Sequence, residues 1–220
     1  MQKIAGLIFA GLVLVISLLV AWANLRYGPR PLFPHKRISI TLPYGPENEV
    51  KNLIPMGETI EHNFKGGHPG IDFQWDRSVP LIAVADGKIT SIYNDKDMDE
   101  TVTNLVLASG EYEARYKELD KLAPGIVKGS MVKQGDVLAY PHCSKQFSQH
   151  CQLHWEFAYS SPLAMLAGVS KGVDRLCPLT YFDSSALARI NSTWEKVPAN
   201  DKFKKNFPHI CSGGYLGQDQ

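Results

Sequence analysis

The chain has no surplus of charge of either sign: 23 Lys and Arg stand against 22 Asp and Glu, a net of +1. A nucleic-acid binder carries a basic stripe, so that class is excluded. No internal repeat is apparent, and 220 residues of which 44% are hydrophobic and 20% charged fit one membrane-tethered domain of ordinary make-up. No long amphipathic helix precedes Ser184, which leaves an antiparallel β core as the expected fold. The four cysteines lack the close C-x-x-C spacing of most structural zinc sites. The acidic stretch Asn94 to Glu100, with Asp95, Asp97 and Asp99, lacks the central Gly and terminal Glu of a calcium loop, so it reads as a solvated turn.

One long hydrophobic run is present. Residues Ile4 to Leu25 carry no charge. At about 1.5 Å per residue they could cross a hydrocarbon layer of roughly 30 Å as a helix. Residues 1–25 are therefore expected to be a transmembrane anchor. Ala21-Trp22-Ala23 keeps a cleaved signal peptide open, although the run exceeds a usual signal core. Residues 26–50, rich in Pro and basic groups as far as Pro46, read as a linker, and residues 184–220 as a C-terminal extension with one short helix near Ser185 to Trp194. Lys202, Lys204 and Lys205 in that extension read as a solvated face. Arg26, Arg30, Lys36 and Arg37 follow the hydrophobic run while only Lys3 precedes it, which by charge would leave the domain in the cytoplasm.

The cysteines point the other way. Cys143 and Cys151 bracket a short polar loop, which suggests the pairs Cys143 with Cys151 and Cys177 with Cys211, hence an oxidising compartment. Free thiols and a second metal site built on His142-Cys143 and His150-Cys151 are the alternatives. The expected location is the inner membrane, single-pass, with the soluble domain in the periplasm or outside the cell.

Short strand signals fill the middle of the chain. Leu81 to Ala85 and Lys88 to Tyr93 flank Asp86-Gly87, and Thr101 to Ala108 and Glu111 to Lys117 flank Ser109-Gly110, two hairpin signals. Asp136 to Tyr140 and Gln152 to Tyr159 bring the set to at least six strands.

The chemistry lies in His68-Pro69-Gly70-Ile71-Asp72 and Gln152-Leu153-His154-Trp155-Glu156. His68, Asp72 and His154 offer two imidazoles and a carboxylate, a set that suits Zn²⁺ and leaves a fourth position open, as in catalytic sites. His68-Pro69-Gly70-Ile71-Asp72 resembles the H-x-G-x-D signature, and Leu153-His154-Trp155-Glu156 the end of the H-L-H-F-E signature, of the LytM/lysostaphin-type zinc endopeptidases. Pro80 to Ile89 resembles that family's P-V-x-A-x-x-D-G-x-V segment, and Val132 to Ala139 its V-K-x-G-Q-x-I-G turn. The second turn also resembles the hammerhead of biotin and lipoate carriers, but no Lys in a tight hairpin accompanies it.

The resemblance implies a mainly β fold, an antiparallel sheet curled into a barrel-like sandwich over residues 51–183, with Zn²⁺ as cofactor and peptidoglycan peptides as substrate. It also exposes two departures. Tyr116-Lys117-Glu118-Leu119 occupies the place of the family's Y-x-H-L motif, so Glu118 and Gln152 stand where the family has non-ligand imidazoles. Strand alternation puts Gln152, His154 and Glu156 on one face, and by the same rule Ala114, Tyr116 and Glu118 on one face of theirs. In one reading Glu118 is general base towards water activated by zinc, and the Gln152 amide steadies the oxyanion. In the other, the site binds metal without turnover and the groove binds cell wall or activates a partner hydrolase.

Overall fold

The computed structural model describes residues 17, 38–62, 67–97, 100–144, 150–160 and 174–211. The anchor expected over residues 1–25 lies, apart from Ser17, outside them. Among the described residues no helix is long and apolar enough to cross a membrane.

Among the described residues, ten strands build one sheet: β1 (Asn52–Ile54), β2 (Ile71–Trp75), β3 (Leu81–Ile82), β4 (Gly87–Asp97), β5 (Glu100–Ser109), β6 (Tyr112–Leu122), β7 (Met131–Val132), β8 (Val137–Cys143), β9 (Cys151–Tyr159) and β10 (Asp174–Arg175). Their order is β1-β2-β9-β8-β6-β5-β4-β7, with β10 on β9, β3 on β8 and a further pairing of β9 with β6. Every pairing is antiparallel. The mainly β, antiparallel fold expected from the sequence is the fold observed.

Alternation sorts the sheet's two faces. Ile71, Phe73 and Trp75 of β2 join Leu153, Trp155 and Phe157 of β9 in the core. Among the described residues, the α-helices α1 (Ser184–Lys196) and α2 (Lys202–Asn206) add to it. Asp183 caps α1 by accepting from the Ala186 amide, and Ala186, Ile190 and Trp194 face inward at helical spacing. Ala186, Ile190, Trp194, Phe203 and Ile210 of the C-terminal extension are thus part of the packed body. Lys204 belongs to no solvated face: its Nζ donates to the carbonyls of Trp194, Glu195 and Val197 and closes the C-terminal end of α1.

Three other expectations give way. Ile40, Leu42 and Tyr44, placed by sequence in the linker, are buried, because Ile38-Ser39-Ile40-Thr41-Leu42 alternates and bridges to Phe182. Asp86-Gly87 is no hairpin: β3 pairs with β8, while β4 pairs with β5 and β7. The Asp86 carboxylate is spent on Lys133 Nζ and the Gln134 amide instead of a tight turn. The acidic stretch is strand from Asn94 to Asp97, since β4 and β5 pair out to Asp97 and Glu100, and residues 98 and 99 lie outside the described residues. The Ser109-Gly110 hairpin forms as read, with Gly110 at φ 61°.

Both cysteine pairs are as read, Cys143 to Cys151 and Cys177 to Cys211, and no free cysteine remains among the described residues. The alternative of a second metal site using Cys143 and Cys151 falls with them, because a disulfide sulfur has no thiolate to offer.

Candidate metal centre and cleft

Five strands present one continuous, largely polar face opposite the core. Asp72 on β2 lies across from His154 on β9, and Gln74 from Gln152. Ile54 and Asn52 on β1 extend these rows on one side. Lys117 on β6 faces His154, and His142 on β8 faces Gln152, on the other.

His68 reaches this face from the loop before β2. Its amide donates to the Glu58 carbonyl and its carbonyl accepts from the Gly57 amide, both at 2.8 Å. Gly67, at φ 83°, lets the chain pass where a Cβ would strike the Gly57 carbonyl. Gly70 has an ordinary φ but lies against the Trp155 carbonyl, where a Cβ would be closer than any real one is found. These glycines let the His68 loop and β2 close onto β9.

The result is a compact donor triangle. His68 Nε2 lies 2.9 Å from His154 Nδ1 and 3.1 Å from Asp72 Oδ1, and His154 Nδ1 lies 2.8 Å from Asp72 Oδ1. Tetrahedral zinc with bonds of about 2.0–2.1 Å needs donors about 3.3 Å apart, a small expansion of what is present. The second nitrogen of each ring is engaged elsewhere: His68 Nδ1 with the Pro55 carbonyl at 3.2 Å, His154 Nε2 with Glu156 Oε1 at 3.0 Å. Those partners leave His68 Nε2 and His154 Nδ1 as the lone-pair nitrogens, the outer support that metal-bound imidazoles require.

All three donors are buried, and Asp72 Oδ2 is buried with no hydrogen-bond partner. Burial alone would raise the Asp72 pKa, yet the charges of His68 and His154 beside it hold it well below the carboxylate range. Burial would likewise discharge His154, but Asp72 and Glu156 overrule it and push its pKa up to about 10. The pocket therefore demands positive charge. A divalent cation supplies that charge in place of the ring proton, so the residues fit zinc.

Glu156 is buried among cations: Lys117 Nζ at 2.6 Å, Arg175 Nε at 2.6 Å and Arg115 at 4.0 Å. Despite burial, His154, Arg175 and Lys117 keep it far below its ordinary pKa.

Glu118 arrives by a bulge. Lys117 and Glu118 on β6 oppose Asn104 alone on β5, and Glu118 is the one non-glycine residue at positive φ, 62°, among the described residues. Its amide donates to Asn104 Oδ1 at 3.1 Å. The alternation that groups Ala114, Tyr116 and Glu118 is thus corrected. Ala114 and Tyr116 are in the core, and the extra residue turns Glu118 to the cleft face. The bulge also marks a fork, since β6 pairs with β9 up to Lys117 and with β8 from Leu119.

Glu118 and Gln152 then meet, Gln152 Nε2 donating to Glu118 Oε2 at 2.9 Å. An ionised carboxylate only accepts, so Gln152 must turn its carbonyl away, where Gln74 Nε2 donates to it at 2.6 Å. Gln74 in turn accepts from Asn52 Nδ2 at 3.0 Å. Three amides in series thus end on Glu118.

These groups line a cleft of about 530 Å³ bounded by Ile54, Asp72, Glu118, His142, Gln152 and the ring of His62. Sequence reading missed His62, which stacks on His68 at 4.1 Å and pairs with the buried Glu58. Glu58, His62 and His68 form a second group able to hold a cation. It missed Gln74 as well, although Gln74 stands two residues from Asp72 just as Gln152 stands two from His154.

Residues 66–164 match the sequence model of Peptidase family M23. No curated protein matches the chain. Among solved structures, the chain is similar to a zinc-containing peptidase from Vibrio cholerae, at 22% identity over 55% of this chain and 37% of that one, TM-score 0.43. The chain thus spans well under half of that protein's length. It is similar to the catalytic domain of the antimicrobial peptidase lysostaphin from Staphylococcus simulans, at 22% identity over 50% of this chain and 81% of that one, TM-score 0.39. It is also similar to LytU, at 27% identity over 60% and 80%, TM-score 0.41. The segment 66–164 is thus similar to Peptidase family M23, and the motifs at 68–72 and 152–156 fall inside the matched stretch.

Proposed function

We propose that the chain is a membrane-anchored zinc metallopeptidase that hydrolyses peptides of peptidoglycan outside the cytoplasm. The observation that carries this reading is the donor triangle. Three buried ligand atoms converge at 2.8–3.1 Å, Asp72 among them lining the cleft, with both outer ring nitrogens already engaged. His68, Asp72 and His154 would hold the ion. Zinc bound there supplies Lewis acidity towards a peptide carbonyl and acidifies water. Glu118, fixed by the bulge and by Gln152, accepts a proton at its carboxylate from the attacking water. Gln152, with its carbonyl tied to Gln74, presents its amide N–H side towards the developing oxyanion.

A second reading has a specific observation behind it. Gln152 already donates to Glu118, so the pair also makes sense as a closed polar wall in a domain that binds cell wall or a partner hydrolase without turnover. Zinc analysis of the purified chain, followed by incubation with purified peptidoglycan, separates the readings. Release of new peptide amino groups by zinc-loaded protein, lost in His154→Ala, supports the peptidase. Zinc-loaded protein that sediments with peptidoglycan and releases nothing overturns it in favour of the binder. The anchor and its orientation are tested by alkaline phosphatase fused after Gln220, which is active only if that end lies outside the cytoplasm.

A further inference from the structure

The cleft contains an imidazole that neither the ligand set nor the Glu118–Gln152 pair uses. His142 on β8 lies directly across from Gln152 on β9 and lines the cleft with Asp72 and Glu118. The next rung of that ladder is Cys143 to Cys151, joined by a disulfide, so the place of His142 opposite Gln152 is covalently pinned. The side chain is 18% exposed, and its Nε2 is 2.5 Å from Glu100 Oε2 at the start of β5. An ionised carboxylate accepts only, so Nε2 keeps its proton whether the ring is neutral or cationic. All proton exchange by this ring therefore takes place at Nδ1. A ring held in one tautomer by a carboxylate, with its other nitrogen doing the exchange, is a proton carrier.

We propose that His142, oriented by Glu100, is the general acid of this cleft, an inference that rests on the peptidase reading. Attack forms the bond from water oxygen to the peptide carbonyl carbon, and Glu118 takes the proton that water loses. Collapse breaks the carbon–nitrogen bond, and His142 Nδ1–H delivers a proton to the departing nitrogen. The proton held on Glu118 then passes to His142 Nδ1. Both groups return to their starting states and no oxidant or further reactant is consumed. Glu100 stays ionised throughout and acts as a positioning residue.

The test uses the zinc-loaded full chain in detergent, with a crosslinked muropeptide dimer and its ester analogue, whose leaving oxygen needs little help from an acid. In His142→Gln, kcat on the amide should fall about 10²- to 10⁴-fold, with KM within about threefold and zinc content unchanged. The ester should lose less than about tenfold, a contrast that a merely structural role would not give. Glu100→Ala should show the same amide-to-ester contrast more weakly. Independently of turnover, ¹⁵N spectra of the neutral His142 ring should show the Nε2–H tautomer. Equal losses on amide and ester, amide turnover within about threefold of wild type, or an Nδ1–H tautomer would each overturn the proposal while leaving the peptidase reading standing. A wild-type chain inert on both substrates removes the peptidase reading and the general acid with it.

Discussion

Replacing Gly70 by Ala probes how closely the two ligand-bearing strands must approach. Gly70 does not need a left-handed backbone, so alanine carries no conformational penalty there and only the added methyl matters. That methyl would sit 3.0 Å from the Trp155 carbonyl carbon, nearer still to its oxygen, and 3.1 Å from Glu156 Cγ. Ordinary contact requires about 3.4 Å or more, so β2 and β9 must part by several tenths of an ångström to about 1 Å. Overpacking of this kind costs about 1–3 kcal/mol. In a chain of this size that lowers Tm by about 2–12 °C. The ligand triangle tolerates about 0.5 Å, so zinc affinity should also fall, by about tenfold to a hundredfold. Gly110→Ala is the control: it has φ 61° with nothing within 4 Å of the added carbon, so it should destabilise slightly and leave zinc binding intact. Thermal melts by circular dichroism and zinc competition against a chelating dye read both effects. A Gly70→Ala protein that melts within about 1 °C of wild type and holds zinc equally well would refute the reasoning.

Glu156→Gln removes the buried carboxylate that meets His154, Lys117 and Arg175; urea unfolding should show a loss of about 3–5 kcal/mol, and dye competition a fall in zinc affinity of about 10- to 100-fold. Serine in place of both Cys143 and Cys151, which are 8 residues apart, should cost about 2.6 kcal/mol by loop entropy, and in place of Cys177 and Cys211, which are 34 apart, about 3.8 kcal/mol; a reversed order in urea midpoints would mean that native-state strain outweighs loop length. Gln74→Leu strips Gln152 of its donor, so peptide turnover should fall while zinc content, measured by metal analysis, stays at the wild-type level. Lys204→Met leaves three carbonyls at the end of α1 without their ammonium partner, and should lower stability by about 1–2 kcal/mol in urea unfolding.

What was legible in the sequence was whatever follows a strand's period of two. Ile71, Phe73 and Trp75 against Asp72 and Gln74, and Leu153, Trp155 and Phe157 against Gln152 and His154, announce which side faces the core. Once Asp72 is set opposite His154, the place of Gln74 beside Gln152 follows. The disulfide carries similar information, because joining Cys143 to Cys151 puts His142 opposite Gln152. Events set by distant partners were not legible. Asp86-Gly87 reads locally as a hairpin, but Lys133 and Gln134, far along the chain, claim the carboxylate. The place of Glu118 depends on an inserted residue facing Asn104, which no alternation rule foresees. Glu58 and His62 sit in a loop with no period, so their meeting with His68 left no pattern to find.

The rung joining Asp72 to His154 also governs which strand pairing the chain can settle into. Were β2 to slip by one residue along β9, its alternation would invert, swinging Asp72 and Gln74 into the core side and Phe73 out towards water. The His68, Asp72 and His154 donors would then no longer share a point in space, and an ion could not bind all three. Zinc would thus act as a proofreader of strand alignment, stabilising the native pairing selectively between segments that meet only after a long intervening stretch of chain has folded back.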